Sequence, residues 1–216
     1  MADKIKTVFL SASIPAPQRE QKYLKNTDSN TIMKAIEALA KEALAHGQLV
    51  FGGHPLISPI ILGIAKRMDA LSKVGIFQSE LFRQHIPVES QQFPQLFWTR
   101  NVAGSRDASL LLMREIMASL PGHEKRDLIP EGLKDDFLDS VEYTAGVFIG
   151  GMEGVEEEAR IFMEKNPDTP VFFMGSTGGA ARILLENSPD LYEESFQNTL
   201  RESTNYSELF KDIVWD

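Results

Sequence analysis

The stretch Val147-Phe148-Ile149-Gly150-Gly151-Met152-Glu153-Gly154-Val155-Glu156-Glu157-Glu158 passes from apolar residues, through a glycine pair, to a run of carboxylates. A short apolar run bounded by glycine is typical of a buried strand. Acidic residues after the turn favour a helix start, because carboxylates are stabilised near a helix N-terminus. The stretch therefore predicts a strand over 145–149, a tight turn and a helix over 153–165.

The same order of strand and helix recurs along the chain. Further strands are predicted at 8–10, 49–51, 74–77 and 171–174, and further helices at about 28–46, 58–71, 105–120 and 178–186. We expect a loop and one short strand over 79–104, a surface loop with a short helix over 122–139, and one or two peripheral helices after Asn187. Alternating strands and helices predict an α/β protein with a mostly parallel sheet covered on both faces.

No stretch is rich enough in linker residues to divide the chain, so a single domain is predicted over 1–216. Its core is expected at about 5–187, followed by a C-terminal helical extension at about 188–216. Of its 216 residues, 43% are apolar and 25% charged, which is ordinary for a globular protein. The absence of cysteine excludes disulfides and thiolate chemistry.

The formal net charge of −9 argues against an extended nucleic acid as a partner, because an acidic surface repels phosphate backbones. A small anionic ligand is still compatible with this charge, since local arginines and helix N-termini can hold it. No run approaches the roughly 20 apolar residues that span a bilayer, so no membrane partner is expected. A cytoplasmic protein is the simplest interpretation.

Three paired-glycine turns lie where a predicted strand passes into a predicted helix: Gly52-Gly53, Gly150-Gly151 and Gly178-Gly179, the last preceded by Ser176-Thr177. Glycine permits positive φ and lets an anion approach the backbone closely. Parallel strands end at one edge of the sheet, where ligands bind in such folds. We therefore predict that backbone amides at these turns converge on a phosphorylated ligand. Each turn alone is equally compatible with a purely structural role.

Polar side chains near these turns are further candidates. Ser11 and Ser13 end the first predicted strand, and His54 follows a glycine pair. Arg106 and Arg114 are two helical turns apart and share a face, where a guanidinium suits phosphate and a solvated ion pair is the alternative. The four histidines are far apart, so we expect no metal site, and no cofactor is predicted.

Several of these motifs together resemble the SLOG superfamily. They are Val8-Phe9-Leu10-Ser11-Ala12-Ser13-Ile14-Pro15, Val50-Phe51-Gly52-Gly53-His54-Pro55, Gln78-Ser79-Glu80, the stretch 147–158, and Ser176-Thr177-Gly178-Gly179-Ala180-Ala181. The chain is most similar to the bacterial group called SLOG cluster 3. This resemblance implies a Rossmann-like three-layer sandwich and adds Gln78, Met152, Glu153 and Gly154 to the candidate ligand-binding residues.

The superfamily includes Lonely-guy phosphoribohydrolases, which release a base from a nucleotide, and sensor domains that bind NAD-derived or other nucleotide signals. The enzymes carry Pro-Gly-Gly-x-Gly-Thr-x-Glu-Glu, and this chain has Ile149, Glu153 and Gly154 where they have proline, glycine and threonine. The resemblance makes Arg114 the counterpart of a catalytic arginine. Glu158 fits a looser superfamily pattern, and Glu157 is its neighbour; both are catalytic candidates if the chain is an enzyme.

Three functions stay open on this basis. The first is a nucleotide-ligand sensor in a bacterial stress or defence system, with a cyclic or NAD-derived nucleotide as its signal. The second is an enzyme that cleaves the N-glycosidic bond of a nucleoside monophosphate, and the third is a structural partner with a vestigial pocket. The resemblance also implies a homo-oligomer, and a sensor would need an effector protein or its own assembly to signal.

Overall fold

The computed structural model describes residues 3–18, 20–120 and 135–215. Its centre is a six-stranded sheet of order β4-β3-β2-β1-β5-β6 in which every pairing is parallel. The strands are β1 (Ile5–Ser13), β2 (Gln48–Gly52), β3 (Val74–Ser79), β4 (Gln95–Thr99), β5 (Val141–Gly150) and β6 (Val171–Met174). The predicted α/β class and mostly parallel sheet are confirmed.

Helices connect the strands and cover both faces of this sheet, as a Rossmann-like three-layer sandwich requires. They are α1 (Gln21–Leu24), α2 (Ser29–His46), α3 (Ser58–Arg67), α4 (Arg106–Ala118), α5 (Asp135–Ser140), α6 (Glu153–Lys165), α7 (Gly179–Glu186), α8 (Glu194–Glu202) and α9 (Tyr206–Ile213). One layer contains α2 packed between α3 and α9, and another pairs α4 with α6.

The core forms because the central strands are apolar on both sides. Phe9 of β1 lies within 6.0 Å of Phe148 and 4.5 Å of Phe162, measured between ring centroids. Tyr143 completes this cluster and donates its hydroxyl to the Met117 carbonyl at 2.6 Å. These contacts fix α4 and α6 on one face of β1 and β5.

Helix boundaries agree closely with the sequence pattern. Asp28 begins α2 by accepting a hydrogen bond from the Thr31 amide at 2.8 Å, which satisfies one of the helix's unpaired N–H groups. The predicted strand within 79–104 is β4, and two helices follow Asn187 as expected. The second of them, α9, buries Tyr206 and Phe210 against α2, so it is an integral part of the helical layer. Most of the loop predicted at 122–139 lies outside the described residues.

The topology places a crevice at one point of the sheet. From β1 the chain winds through β2 to β3 and β4 in one direction, whereas β5 lies on the other side of β1. The chain therefore leaves the carboxyl end of β1 toward one face of the sheet and the carboxyl end of β5 toward the other face. Ligands of open α/β sheets bind at such a switch in strand order.

Candidate functional site

A cleft of about 820 Å³ opens at this carboxyl edge. Its lining comes from the ends of β1 and β2, from β3 and the segment after it, and from the facing surfaces of α4 and the start of α6. The volume lies within the range of roughly 300–1,000 Å³ that small-molecule sites occupy. The residues predicted for the site that line it are Ser13, Gly52, Gly53, His54, Gln78, Arg106, Arg114, Met152, Glu153, Gly154, Glu157 and Glu158.

An ion pair between two helices lies in this cleft. Arg114 of α4 places its Nε 3.2 Å from Oε1 of Glu158 on α6, and the side chains are only 18% and 14% exposed. Both residues point inward because their helices pack against the same face of the sheet. Removing two charges from water is costly, so a pair that lines a cleft is a candidate for a functional role.

Glu158 is largely shielded from solvent within this pair. Burial raises the pKa of its carboxyl above the ordinary value, although Arg114 acts in the opposite direction. The Ser11 hydroxyl is beside this carboxylate and also lowers its pKa, yet Ser11 Oγ is buried without a well-formed hydrogen bond. The carboxylate and the hydroxyl thus both retain hydrogen-bonding capacity near the cleft.

Glu157 has a different environment from its neighbour. It accepts a hydrogen bond from Arg160 Nη2 at 2.8 Å, and this bond lowers the pKa of its carboxyl. Arg160 is thus shared between Glu157, which is part of the cleft lining, and Glu164, which is outside it. Of the two glutamates proposed as catalytic candidates, Glu158 is therefore the one that faces Arg114.

Gly154 lies where the Arg114 side chain crosses α6. A Cβ atom at Gly154 would come within 2.9 Å of Arg114 Nη2, so a larger residue would displace the guanidinium. The related enzymes carry a threonine at this position of the motif. In this chain the absence of a side chain at Gly154 lets the Arg114 guanidinium lie against the backbone of α6.

The turn after β2 forms the opposite wall. His54 Nδ1 accepts a hydrogen bond from the Leu56 amide at 3.2 Å, so the proton of the neutral ring is on Nε2. Burial lowers the pKa of His54, which keeps the ring neutral near pH 7. Gln78 donates from Nε2 to the Gly53 carbonyl at 2.8 Å and so fixes the turn to the end of β3.

Four of the predicted turn amides are already used within the protein. Gly53 donates to the Phe77 carbonyl at 2.9 Å, and Gly151 donates to the Ser13 carbonyl at 2.8 Å. Gly150 donates to Thr177 Oγ1 at 2.8 Å, and Gly178 donates to the Gly175 carbonyl at 3.1 Å. The structure therefore does not bring these N–H groups together on one open anion site.

Close packing explains two of the three glycine pairs. The φ angles of Gly150, Gly151, Gly178 and Gly179 are all positive, and a Cβ on Gly179 would lie 2.6 Å from the Gly151 carbonyl oxygen. The turns after β5 and β6 are thus pressed against each other. Six predicted ligand-binding residues lie in these turns and are not part of the described cleft lining: Gly150, Gly151, Ser176, Thr177, Gly178 and Gly179. Their ligand-binding role stays a prediction.

An apolar wall of the cleft was not predicted from the sequence. It is formed by residues of the irregular segment after β3 and by the exposed face of α4, together with a second histidine: Phe82, His85, Ile86, Pro87, Leu110 and Leu111. The segment has no helical or strand periodicity, which is the signal that sequence analysis uses. The half-buried Leu110 and the exposed Leu111, on the helix that carries Arg106 and Arg114, were the available hint.

Arg106 lies at the mouth of the cleft. Its side chain is 64% exposed, and its Nη1 is 3.7 Å from the carboxylate of Asp107. Ser13 ends β1 at the same edge, and its carbonyl is occupied by the Gly151 amide. Neither residue is buried, so both are accessible to a bound molecule.

In the described ranges no group of histidine and acidic side chains is arranged to hold a metal ion. The helices in those ranges are also too short or too polar to cross a membrane.

The six-stranded parallel sheet, with a cleft at its switch point, defines a Rossmann-like α/β protein. The model of the SLOG cluster3 family matches residues 22–214, nearly the whole chain, and the chain belongs to that family. The resemblance inferred from the motifs is confirmed. A search of curated proteins found no match. Membership of this family suggests a nucleotide-related function.

Proposed function

We propose that the cleft binds a nucleotide-derived ligand and that the chain acts as a sensor of that ligand in a bacterial stress or defence system. The observation that carries the proposal is the Arg114–Glu158 ion pair at the edge of the sheet, inside a cleft that also has an apolar wall. A nucleoside needs both kinds of surface, because its sugar is rich in hydroxyls and its base is a flat apolar ring.

The polar half of the cleft suits a ribose. A carboxylate accepts hydrogen bonds from hydroxyl groups, and Glu158 has its second oxygen available beyond the bond that it accepts from Arg114. The Ser11 hydroxyl lies beside this carboxylate, but it is buried and is not part of the described cleft lining, so it would act on the ligand only through Glu158. The neutral His54 ring offers an Nε2–H donor from the facing wall. These groups would fix the orientation of the sugar.

The apolar half suits a base. Phe82, Ile86 and Leu110 contribute side chains without polar atoms, and they face the cleft from two different segments. Burying a flat ring between them would be favourable by roughly 25 cal/mol per Å² of apolar surface removed from water. The ligand would thus bridge the segment after β3 and α4.

The alternative function is hydrolysis of the N-glycosidic bond of a nucleoside monophosphate. It would use Glu158 to stabilise a developing positive charge on the sugar or to activate water, and Arg114 to position the substrate. The raised pKa of Glu158 favours this alternative, since a general base works best with a pKa near the operating pH. The absence of the threonine hydroxyl at Gly154 favours binding alone.

One experiment separates these functions. The melting temperature is measured with a panel of nucleosides, mononucleotides, cyclic nucleotides and NAD, and the same mixtures are analysed by chromatography for free base or nicotinamide. Stabilisation without any released base supports the sensor, because a ligand that binds only the native state raises its stability. Base release that is lost in Glu158→Gln supports the enzyme.

The matched control is Glu164→Gln, which removes a carboxylate from the same helix outside the described cleft lining and leaves the Arg114–Glu158 pair in place. We expect it to keep most of the ligand-induced stabilisation. If no member of the panel raises the melting temperature, both functions are wrong and a purely structural role remains. Signalling by a sensor would further require an effector partner or a homo-oligomer, which size-exclusion chromatography with and without ligand would reveal.

A further inference from the structure

Ser11 carries a buried hydroxyl that the fold itself does not use. The residue is 1% exposed, and its Oγ has no hydrogen-bond partner among the described residues. Most buried polar side-chain atoms are hydrogen-bonded, because a donor that is removed from water and left unpaired costs free energy. The position of this hydroxyl in the sheet therefore bears on what it serves.

The packing of β1 against α6 brings Ser11 to Glu158. Side chains two residues apart on a strand point to the same face, so Ser11 faces the same way as Phe9, whose ring lies 4.5 Å from that of Phe162 on α6. Glu158 precedes Phe162 by four residues and shares its helix face. Because α6 begins at the carboxyl edge and runs back along the sheet, Glu158 is nearer that edge than Phe162, as Ser11 is nearer it than Phe9. The two spacings agree, at about 6 Å along the helix and about 7 Å along the strand.

The neighbouring strand gives the same position for the carboxylate. Leu10 pairs with Phe51, and Ser11 and Gly52 are the next residues on their strands. A Cβ atom at Gly52 would lie 3.9 Å from Glu158 Oε1. The carboxylate therefore lies over the ends of both β1 and β2. The Ser11 hydroxyl lowers the pKa of Glu158, which is the effect of a nearby donor on a carboxylate.

Glu158 can accept a further hydrogen bond. Its Oε1 accepts from Arg114 Nε at 3.2 Å, whereas a carboxylate has roughly four acceptor positions. The final torsion of a glutamate side chain is broad, so the carboxylate can turn toward the hydroxyl at little cost. We infer that Ser11 is a positioning residue for Glu158: its hydroxyl donates to this carboxylate and sets the direction in which the remaining lone pairs face the cleft. The inference rests on the proposed function and adds a third member to the Arg114–Glu158 pair.

The test is an NMR titration of the Glu158 carboxyl carbon in the free protein, with the signal assigned from Glu158→Gln. Ser11→Ala is compared with Ser90→Ala, because Ser90 is also a buried serine whose Oγ has no partner in the described ranges, and it lies outside the described cleft lining. We expect the Glu158 midpoint to move to higher pH in Ser11→Ala, since the ionised form loses a donor, and to keep its wild-type value in Ser90→Ala. An unchanged midpoint in Ser11→Ala, or an equal change in both variants, overturns the inference.

A second pair of variants separates the hydroxyl from the packing around it. Ser11→Thr and Ser11→Val add side chains of nearly the same shape, of which only threonine has a hydroxyl. The Glu158 midpoint should be lower in Ser11→Thr than in Ser11→Val, and equal midpoints would contradict the assigned role.

Ligand affinity gives an independent measurement of the same role, with adenosine, guanosine, uridine and cytidine as probes. Each nucleoside that binds wild type should bind Ser11→Ala about three- to tenfold more weakly, because the acceptor that it meets is less well oriented. Equal affinities would overturn the inference. The NMR titration uses no ligand, so its failure leaves the proposed function intact, whereas a nucleotide panel without any binding removes the proposed function and does not alter the midpoints.

Discussion

Arg114 and Glu158 meet at 3.2 Å across the gap between α4 and α6, although they are far apart in the sequence. The contact joins the only two helices that, within the described residues, line the cleft from one face of the sheet. Its position suggests two roles at once. It holds the helices together, and it presents a carboxylate of raised pKa to the cleft.

The effects of substituting Arg114 and Glu158 on the free energy of unfolding should not be additive, because each charge is stabilised by the other. Arg114→Met leaves the Glu158 carboxylate partly buried without its counter-charge, and we expect the free energy of unfolding to fall by about 1–3 kcal/mol. The double variant Arg114→Met/Glu158→Gln removes both charges and should be less destabilised than Arg114→Met alone. Urea denaturation of wild type, single and double variants measures this coupling. Strictly additive effects would contradict it.

Glu157 and Glu158 should make opposite contributions to the pH dependence of stability. The pKa of Glu158 is raised from the ordinary 4.5, so its contribution to the free energy of unfolding is present below pH 4.5 and is lost as pH rises through its folded-state pKa. The pKa of Glu157 is lowered from 4.5, so its contribution is present above pH 4.5 and is lost as pH falls.

Urea denaturation at about pH 3.5, 5 and 7 tests this difference, with Glu157→Gln and Glu158→Gln compared to wild type. The stability advantage of wild type over Glu158→Gln should shrink as pH rises, whereas its advantage over Glu157→Gln should grow. Parallel trends for the two neighbours would mean that the environments assigned to them are wrong.

The turn after β6 should tolerate no side chain at Gly179. This residue has a φ of +61°, and a Cβ there would lie 2.6 Å from the Gly151 carbonyl oxygen. We expect Gly179→Ala to lower the free energy of unfolding by about 2–4 kcal/mol, from backbone strain and the clash together. Gly104→Ala is the control, because Gly104 has a φ of +73° with no atom within 4 Å of its added Cβ. It should cost only about 1 kcal/mol. Equal losses would show that the two turns are not in close contact.

His54 should donate a hydrogen bond to the ligand from the Nε2–H of its neutral ring. Asn at this position can accept the Leu56 amide as Nδ1 does, but it lacks the Nε2–H. We therefore expect His54→Asn to retain the melting temperature of the free protein and to weaken ligand binding about three- to tenfold, the cost of one hydrogen bond. Because burial lowers the pKa of His54 below its ordinary value, the ligand affinity of wild type should change little between about pH 7 and pH 8. A loss of affinity as pH rises through this range would indicate that the charged ring binds.

Much of the fold could be predicted because the local patterns agree with the tertiary structure. The strand at 145–149 and the helix at 153–165 were predicted from apolar runs, a glycine pair and acidic residues at a helix start. The C-terminal helix α9 was expected to be peripheral, but its buried face packs on α2. Whether α9 packs on α2 depends on which surface of the rest of the fold is left uncovered, and the sequence of α9 alone does not reveal this.

The candidate site was harder to predict than the fold. The family resemblance identified Arg114 and Glu158 as candidates, but their contact depends on how α4 and α6 pack. The amides of Gly150 and Gly151 looked available, yet their acceptors are Thr177, in the turn after β6, and Ser13, at the end of β1. The apolar wall around Phe82 lies in an irregular segment, where no periodicity indicates which side chains face inward.

A crystal structure of the protein with the tightest ligand from the panel of nucleosides, mononucleotides, cyclic nucleotides and NAD would show directly where the ligand binds. We expect the sugar to lie between α4 and the start of α6, within hydrogen-bonding distance of Glu158 or Arg114, with the base against the wall that contains Phe82 and Leu110. A ligand bound instead at the turns of Gly150-Gly151 and Gly178-Gly179, with the Arg114–Glu158 pair untouched, would contradict it.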